Sequence, residues 1–474
     1  MYFGGMDKPM EITVGRTVNI SNPSPELKAW CKKNLTIPNP DYGKKVRMNL
    51  WLGNTPRNLT MYEEHGSMLM LPFGVLRDIQ QFMREGDMIQ SCFADKQEVE
   101  YHCKVPLYDY QETAVDELIK AHYGILQSPA GSGKTQIGIA LIAQLGLKSL
   151  WVTHTRDLLR QSKERAEQYM DKKLMGTITE GKINNGIGVT FATVQTLSRI
   201  DLRAYEHSWD VVVVDECHRV AGTPTALTQF YKVLNSLSAR HKYGLSATVH
   251  RADGMIKATY SLLGNVVYNV PDKAVASRIM KVGIYPCSTG IGVSEEIQNT
   301  DGTLNYSKLI TYLCTHPQRN AMIVNRLMAE RDHPSLILSD RLQHLEDMMS
   351  LLPPVMRKDA VMVSGKMTSK AAKATRDSAI EDMRKGKKKY LFATYALSKE
   401  GLDIPRLERL YLTTPQKDYA VVAQSVGRVA RVFEGKAKPI CYDFVDDIGY
   451  LFRAYKKRCT TYRKIGCYFV EDTI

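Results

Sequence analysis

Three kinds of segment are missing from this sequence, and each absence excludes a class of protein. No apolar run approaches the roughly 20 residues that span a bilayer, and the first residues lack the apolar core of a signal peptide. The nine cysteines are scattered, without a CxxC pair that could begin a zinc site. No short-period repeat and no low-complexity tract is present. We therefore expect a soluble, cytoplasmic protein with reduced thiols and no membrane partner.

The sequence has fewer acidic than basic residues. Fifty Asp and Glu oppose 64 Lys and Arg, which gives a formal net charge of +14 and a pI near 9.2. This balance favours a polyanionic partner such as nucleic acid, although a basic enzyme without such a partner is an equal alternative on charge alone. A chain of 474 residues also exceeds one ordinary core, so two to four domains are expected.

The first part of the chain, residues 1–105, differs from the rest. Prolines punctuate its start, and a strand-like stretch follows at Val46–Leu52. A second apolar run, Met68–Leu71, leads into a helical pattern over Val75–Met83. We predict a small α+β module over residues 1–105.

Two α/β domains are predicted after this module. Short apolar strands alternate with amphipathic helices, which favours parallel sheets with helices on both faces. The predicted strands are Gly124–Leu126, Ser149–Thr153, Val189–Ala192, Val211–Val214, Tyr243–Leu245, Ser335–Leu338, Ala360–Val363, Tyr390–Ala393 and Arg409–Leu412. A turn-rich stretch at 288–303 interrupts the series, so we place the domains at 106–285 and 286–448. Residues 449–474 are then a basic, aromatic C-terminal tail.

A segment with the spacing of a phosphate-binding loop follows the first of these strands. It runs from Ser128 to Thr135 with the sequence SPAGSGKT and leads into a helical pattern over Ile137–Leu145. Glycines let backbone amides curl around phosphate oxygens, and the helix N-terminus adds a favourable dipole. Lys134 is expected to contact the β- and γ-phosphates, and Thr135 to bind Mg²⁺. The sequence thus predicts ATP and Mg²⁺ as cofactors, although Ser128 stands where the strict pattern has glycine.

Two acidic residues follow the most apolar predicted strand, Val211–Val214. They stand at its carboxyl end, where doubly wound sheets place their ligands. Asp215 can hold Mg²⁺, partly through water, and Glu216 can orient or deprotonate an attacking water. A solvated acidic turn is the alternative.

The segment Asp215-Glu216-Cys217-His218 resembles the DExH motif of superfamily 2 helicases and translocases. The resemblance covers about residues 107–445, with further motifs in the family's order. It implies two tandem RecA-like domains that hydrolyse ATP between them and move on nucleic acid.

In the first domain the resemblance assigns roles to residues on both sides of the phosphate-binding loop. Gln111 would read the adenine edge, and Tyr108, which stands where the family has Arg, would stack on the base. Half-buried aromatic packing is the alternative for Tyr108. His218, Ser246 and Thr248 would couple hydrolysis to the nucleic-acid face.

In the second domain two motifs carry the resemblance. The segment beginning at Thr394 implies that Thr394 touches the nucleic-acid backbone and that Asp403 faces the ATP ribose or γ-phosphate. The sequence QSVGRVAR matches Q-x-x-G-R-x-x-R, and its spacing places Gln424, Arg428 and Arg431 along one helix face. The two arginines would stabilise charge on the transferred phosphate.

The predicted residues fall into four sets. The catalytic set is Lys134, Asp215, Glu216, Arg428 and Arg431. The ATP-binding set is Tyr108, Gln111, Ser128, Pro129, Ala130, Gly131, Ser132, Gly133, Lys134, Thr135, Asp403 and Gln424, with Thr135 and Asp215 also binding the metal. The coupling set is His218, Ser246 and Thr248. The nucleic-acid set is Thr153, His154, Arg156, Thr196, Arg251, Ser339, Arg341 and Thr394, with capping or turn roles as the alternative.

The segment from Gly244 to Gly254 is similar to the XPB-like and UvsW-like branch, in which an Arg-x-Asp element follows the coupling motif. That likeness makes Arg251 and Asp253 candidates for duplex contact, with a local salt bridge as the alternative. It implies a helicase that remodels DNA forks and junctions in replication, recombination or repair, including branch migration. Phage members carry a small N-terminal module, so residues 1–105 would bind the duplex or substrate, and a phage-encoded chain would act in the host cytoplasm.

Several alternatives stay open. The tail is basic and aromatic between Leu451 and Lys464, and it would either lie along nucleic acid or pack on the second domain. A double-strand translocase that separates no strands, an RNA helicase and a binding protein without catalysis are the competing functions. Replication or recombination proteins are candidates for further partners.

Overall fold

The computed structural model describes residues 8–129, 131–221, 223–247, 255–275, 279–299, 303–364, 370–399 and 402–470. The chain divides into two compact units. The first unit comprises residues 1–129 and 133–271, and the second comprises 130–132 and 272–474. Among the described residues, no helix combines the length and apolarity needed to cross a bilayer.

The N-terminal part of the first unit is built around a small mixed sheet. The strands of this part of the chain are β1 (Glu11–Val14), β2 (Thr17–Ser21), β3 (Thr36–Pro38), β4 (Asn58–Thr60), β5 (Glu63–His65), β6 (Met68–Pro72) and β7 (Met88–Ser91), and its helices are α1 (Pro25–Asn34), α2 (Pro40–Arg47) and α3 (Leu76–Ile79). The sheet order is β5-β6-β2-β1-β7, with β1 and β7 parallel and the other neighbours antiparallel. β3 and β4 form a separate antiparallel pair. This α+β architecture agrees with the sequence prediction.

One predicted strand in this part is wrong. Val46–Leu52 was expected to be extended, but α2 continues to Arg47 and the residues after it are irregular. The Asn39 side chain caps this helix by accepting from the Asp41 amide at 3.0 Å, and Pro40 occupies the first turn. A capped start with proline favours a helix, and it outweighs the β-branched and aromatic residues further on.

The second layer of the first unit is a larger, mostly parallel sheet. Its strands are β8 (Gly124–Gln127), β9 (Ser149–Thr153), β10 (Met175–Thr179), β11 (Lys182–Asn184), β12 (Val189–Thr193), β13 (Val211–Asp215), β14 (His241–Ser246) and β15 (Val266–Asn269). Its helices are α4 (Asp109–Ala121), α5 (Lys134–Leu145), α6 (Arg156–Ala166), α7 (Val194–Leu197), α8 (Pro224–Leu234) and α9 (Ile256–Leu263). The order is β11-β10-β12-β9-β13-β14-β8-β15, and only the β10–β11 pair is antiparallel among these described strands. The four valines of β13 are 0% exposed, as expected for a strand covered on both faces.

The N-terminal sheet and the larger sheet share one hydrophobic core. Lys242 of β14 is completely buried, and its ammonium nitrogen donates to the carbonyls of Arg16, at 3.0 Å, and Leu234, at 2.7 Å. The same nitrogen lies 4.9 Å from the centre of the Phe73 ring, which in turn meets Tyr123 edge-on. Burial lowers the pKa of Lys242 to about 7. This contact fixes the N-terminal sheet to the strand that ends at Ser246.

The second unit contains an all-parallel sheet among its described strands. They are β16 (Gly283–Ser288), β17 (Ser335–Ser339), β18 (Ala360–Val363), β19 (Tyr390–Thr394), β20 (Arg409–Leu412), β21 (Ile440–Val445) and β22 (Tyr468–Phe469), in the order β18-β19-β17-β20-β21-β16-β22. The helices are α10 (Asp272–Val275), α11 (Tyr306–Thr315), α12 (Pro317–Ala329), α13 (Leu342–Ser350), α14 (Pro354–Lys358), α15 (Lys370–Lys385), α16 (Tyr395–Lys399), α17 (Tyr419–Val429) and α18 (Gly449–Lys464). Both larger sheets are RecA-like, which confirms the predicted fold class.

The C-terminal helix α18 packs on the second unit. Arg458 is buried and forms a bidentate pair with Asp443 of β21, with both N–O distances at 2.8 Å. The Tyr462 hydroxyl donates to the same carboxylate at 2.8 Å. The outer face of the helix still exposes basic residues and Phe452, which is 48% exposed. The inner face of α18 therefore packs on the second unit, which was one of the two alternatives for the tail. The outer face of α18 is exposed to solvent, where a ligand could bind.

Candidate nucleotide and nucleic-acid sites

The phosphate-binding loop has the backbone that its glycines predict. Gly131 and Gly133 adopt positive φ angles of 85° and 79°, and Gly133 is the N-cap of α5. Such angles are strained for residues with a Cβ and direct amide groups toward a common point. Lys134 and Thr135 then begin the helix, so the local fold can receive phosphates at a helix N-terminus.

Gln111 lies beside this loop. Its side chain is buried and accepts from the Tyr108 backbone amide at 3.0 Å through Oε1. A Cβ placed on Gly133 would lie 2.5 Å from Gln111 Nε2, so only glycine allows this approach. Tyr108 is 43% exposed and its ring stacks on that of Tyr110 at 5.9 Å. Gln111 is therefore fixed next to the loop, while the Tyr108 ring remains accessible.

Asp215 and Glu216 stand at the carboxyl end of β13. Asp215 is buried, and its carboxylate accepts from Ser162 Oγ at 3.2 Å and from the Glu216 amide at 3.0 Å. Burial, with a further contribution from Glu216, raises the pKa of Asp215 to about 7, whereas Lys134 acts in the opposite direction. A divalent cation would favour the ionised carboxylate, so the carboxylate of Asp215 is a suitable donor for Mg²⁺.

Ser246 connects the phosphate-binding loop to the acidic segment. Its carbonyl accepts from the Ser128 amide at 2.9 Å, and its Oγ lies 3.0 Å from His218 Nδ1. The same nitrogen lies 3.2 Å from Glu216 Oε2. His218 therefore lies between the Ser246 hydroxyl and the Glu216 carboxylate. The predicted coupling residues His218 and Ser246 thus contact each other, whereas Thr248 lies outside the described residues.

The predicted nucleic-acid residues of the first unit occupy neighbouring strand ends. Gln195 Nε2 donates to the His154 carbonyl at 2.7 Å, which ties the two loops together. Thr196 is half-buried and its hydroxyl lies 3.0 Å from that of Thr193. Arg156 is exposed and forms an ion pair with Glu180. These side chains present donors at one edge of the sheet.

Thr153 and Ser339 require a correction. Both side chains are completely buried. The Thr153 hydroxyl donates to the Thr155 carbonyl at 3.0 Å, and Ser339 Oγ lies 3.0 Å from His344 Nδ1. Because these hydroxyls are used inside the protein, they position their loops and do not touch nucleic acid through their side chains.

The corresponding strand ends of the second unit lie over a buried polar network. Ser339 Oγ accepts from the Arg341 amide at 3.1 Å, and His344 Nε2 lies 2.9 Å from Asn320 Oδ1. Arg341 itself is exposed, and Thr394 pairs with Ser339 across β17 and β19. This network therefore fixes the loop that carries the exposed Arg341, next to the strand end at Thr394.

The motif arginines of the second unit lie close to Asp403. Arg431 forms an ion pair with Asp403, and Arg428 Nη1 donates to the Leu402 carbonyl at 3.0 Å. Gln424, which is buried, and Arg428 lie on α17, but this helix ends at Val429, so Arg431 lies beyond it and not on the predicted helix face. The structure thus brings Arg431 to Asp403 and Arg428 to the residue before it.

Besides Thr248, the predicted residues Ala130 and Arg251 lie outside the described residues, as does Asp253. Sequence reasoning missed Lys436, whose Nζ donates to the carbonyls of Pro405, Val429 and Arg431, each at 2.8 Å. A lone lysine in a turn carries no motif, so no sequence signal could have identified it. Ser162 and His344 were also missed, because a single serine or histidine inside a helix matches no motif.

Known proteins match both units. Residues 104–251 match the family model of the type III restriction enzyme res subunit, and residues 318–433 match that of the helicase conserved C-terminal domain. The DNA 3'-5' helicase XPB of Kineococcus radiotolerans is 25% identical over 290 residues, which cover 56% of this chain and 47% of that protein. The chain carries both domains of a superfamily 2 helicase core, and it is similar to the XPB relative over the matched residues. These domains support a helicase that uses ATP, and its helicase relatives bind nucleic acid.

Two further proteins resemble this helicase. A protein of Acanthamoeba polyphaga mimivirus named as an ATP-dependent RNA helicase is 26% identical over 381 residues, covering 78% of this chain and 70% of that protein. The structure of Saccharomyces cerevisiae Dbp5 bound to RNA and ADP BeF3 has a TM-score of 0.56 and 18% identity, covering 76% of this chain and 89% of that chain. The Dbp5 likeness concerns the fold.

Proposed function

We propose that this helicase is an ATP-driven DNA motor that remodels forks and junctions during replication, recombination or repair. The observation that supports a coupled motor is the position of Ser246. Its carbonyl binds the phosphate-binding loop and its hydroxyl binds His218, which also contacts Glu216. A change at the phosphates can therefore reach the strand ends that carry the proposed nucleic-acid residues.

ATP hydrolysis in this proposal uses residues of both units. Lys134 binds the phosphates, and Glu216 orients or deprotonates the attacking water. Thr135 and Asp215 would hold Mg²⁺, which stabilises negative charge on the phosphates when bound. In the second unit, Arg428 and Arg431 supply positive charge to the transferred phosphate, and Gln424 and Asp403 assist nucleotide binding.

Nucleic acid is held mainly through its backbone in this proposal. His154, Arg156 and Thr196 of the first unit, with Arg341 and Thr394 of the second, offer donors suited to phosphate oxygens. Such contacts fix position without reading sequence, which suits a motor that moves. The choice of DNA rests on the XPB relative, whose name describes a DNA helicase.

The polymer can be identified by ATPase stimulation. Forked DNA, single-stranded DNA and RNA of equal length would be compared at one salt concentration, because phosphate binding depends strongly on salt. We expect forked DNA to give the highest rate. The mimivirus relative is named as an RNA helicase, and preferential stimulation by RNA would contradict the DNA assignment.

Strand separation distinguishes a helicase from a translocase that only moves along the duplex. Strand displacement from a forked duplex would be measured beside displacement of a third strand from linear DNA. We expect displacement from the fork. Activity on the triplex alone would indicate translocation without unwinding.

A further inference from the structure

Residues 40–57, called the projecting segment below, join β3 to β4 and bury none of their side chains. Trp51 is 88% exposed, Met48 58%, Val46 54% and Leu50 50%. Single exposed apolar side chains are ordinary, but four exposed apolar side chains within six residues are unusual and point to a binding surface. The segment contributes nothing to the core that would explain its apolar residues.

The projecting segment is nevertheless ordered by its own hydrogen bonds. Asn39 Nδ2 donates to the Pro56 carbonyl at 2.9 Å, which closes the base of the segment. Lys45 Nζ donates to Thr55 Oγ1 at 2.7 Å, and the Leu50 amide donates to the Lys45 carbonyl at 2.9 Å. The exposed apolar side chains are therefore held on a preformed backbone, which lowers the entropy lost when a ligand binds.

The base of the segment is fixed to the first unit. Ile37 in β3 and Met61 after β4 are each 2% exposed and belong to the shared core. The Met61 amide also donates to the Leu35 carbonyl at 2.8 Å. A force on the projecting segment would therefore be transmitted to the unit that carries the phosphate-binding loop.

The positive charge of the projecting segment favours an anionic ligand. Lys44, Lys45, Arg47 and Arg57 oppose the single acid Asp41. Cations beside an exposed indole form the combination that binds single-stranded nucleic acid, since phosphates pair with the cations and bases stack on the ring.

We propose that the projecting segment contacts nucleic acid at a junction of single and double strands, with Trp51 stacking on an unpaired base. Lys44, Arg47 and Arg57 contact the adjoining phosphates. The inference rests on the proposed function, because a branched polymer supplies both the unpaired base and the phosphates. It adds a contact outside the helicase motifs.

Tryptophan fluorescence tests the stacking. Among the four tryptophans, Trp151 and Trp209 are buried and Trp30 packs against Phe82, so Trp51 is the one most accessible to a ligand. Titration with oligothymidylate and with oligouridylate should quench the fluorescence of the wild type. Trp51→Phe should lose the quenching but keep the affinity, because phenylalanine still stacks.

Affinity measurements separate stacking from charge. Trp51→Ala should weaken oligothymidylate binding about tenfold, the order expected for one stacked base. Replacing Lys44 and Arg47 together by Glu should lower the slope of log affinity against log salt by about 1 for each lost phosphate contact. Ile187→Ala is the matched control, because Ile187 is 69% exposed in the same unit and should change neither quantity.

The outcomes distinguish this inference from the proposed function. If the wild type unwinds forked DNA but Trp51→Ala binds and unwinds it equally well, the projecting segment does not contact the substrate. Its exposed apolar residues would then indicate a surface that binds another protein. If oligouridylate quenches Trp51 and RNA is preferred, the segment inference stands and the DNA assignment fails. If the wild type binds oligothymidylate without any quenching of its tryptophan fluorescence, Trp51 does not stack on a base.

Discussion

At the scale of single residues, Glu216 has an unusual backbone. Its φ and ψ angles are both 49°, in the left-handed region that residues with a Cβ rarely adopt. Such a conformation costs on the order of 1–3 kcal/mol and persists only where the surroundings enforce it. Here the amide donates to Asp215 and the carboxylate contacts His218. This backbone places the Glu216 carboxylate beside His218, while Asp215 stays buried.

Glu216→Gln should remove the base and keep the shape of the turn. We expect kcat for ATP hydrolysis to fall by about 10²–10⁴-fold, the usual contribution of a general base, while ATP affinity is retained. Steady-state ATPase assays with equilibrium nucleotide binding would measure both quantities. An unchanged kcat would exclude Glu216 as the base.

His344 makes the second unit sensitive to acid. Burial, with a smaller effect of Arg319, lowers the pKa of His344 to about 3. The imidazole is therefore neutral in the folded protein but gains a proton on unfolding below its ordinary pKa of 6.5. Stability is fully present above that value and is lost as pH falls toward 3.

Thermal unfolding at several pH values tests this linkage. The Tm of the wild type should fall more steeply between neutral pH and mild acid than that of His344→Gln, which cannot titrate there. The difference between the two slopes isolates His344 from other groups. Parallel curves would show that His344 is not the buried neutral group described here.

At the scale of elements, a lysine organises the arginine cluster. Lys436 donates to three carbonyls, those of Pro405, Val429 and Arg431, and so joins the end of α17 to the segment that carries Asp403. Burial lowers the pKa of Lys436 to about 8. Because all three acceptors of Lys436 are backbone carbonyls, its role would be to position Arg431.

Lys436→Met should therefore affect catalysis more than binding. Because a small displacement of a group that acts in the transition state is costly, we expect kcat to fall by about 10–100-fold with little change in KM for ATP. Lys436→Arg should restore part of the rate. Lys438→Met, at an exposed lysine of the same segment, is the control. Equal effects of Lys436→Met and Lys438→Met would remove the positioning role.

The elements also show what sequence reasoning could reach. Apolar runs such as Val211–Val214 predicted the strands well, because a strand covered on both faces needs continuous apolar side chains. Val46–Leu52 misled the same reasoning, since its apolar residues face solvent and α2 extends into it. Thr153 and Ser339 were placed at the correct strand ends, but sequence could not show that their hydroxyls bond inward.

At the scale of the whole molecule, the order of motifs carried the prediction of two RecA-like domains. Spacing along the chain determines which strand ends carry acids, glycines and arginines, and parallel sheets bring those ends to one edge. The packing of the N-terminal sheet was not predictable. It depends on Lys242, a buried cation whose partners Arg16 and Phe73 lie far away in sequence.

The central claim is that hydrolysis at the phosphate-binding loop drives strand separation of forked DNA. The direct measurement is release of a labelled strand from a forked duplex by the wild type and by Lys134→Ala, with and without ATP. We predict release only by the wild type and only with ATP, while Lys134→Ala still binds the fork. Equal release by Lys134→Ala, or release without ATP, would contradict the account.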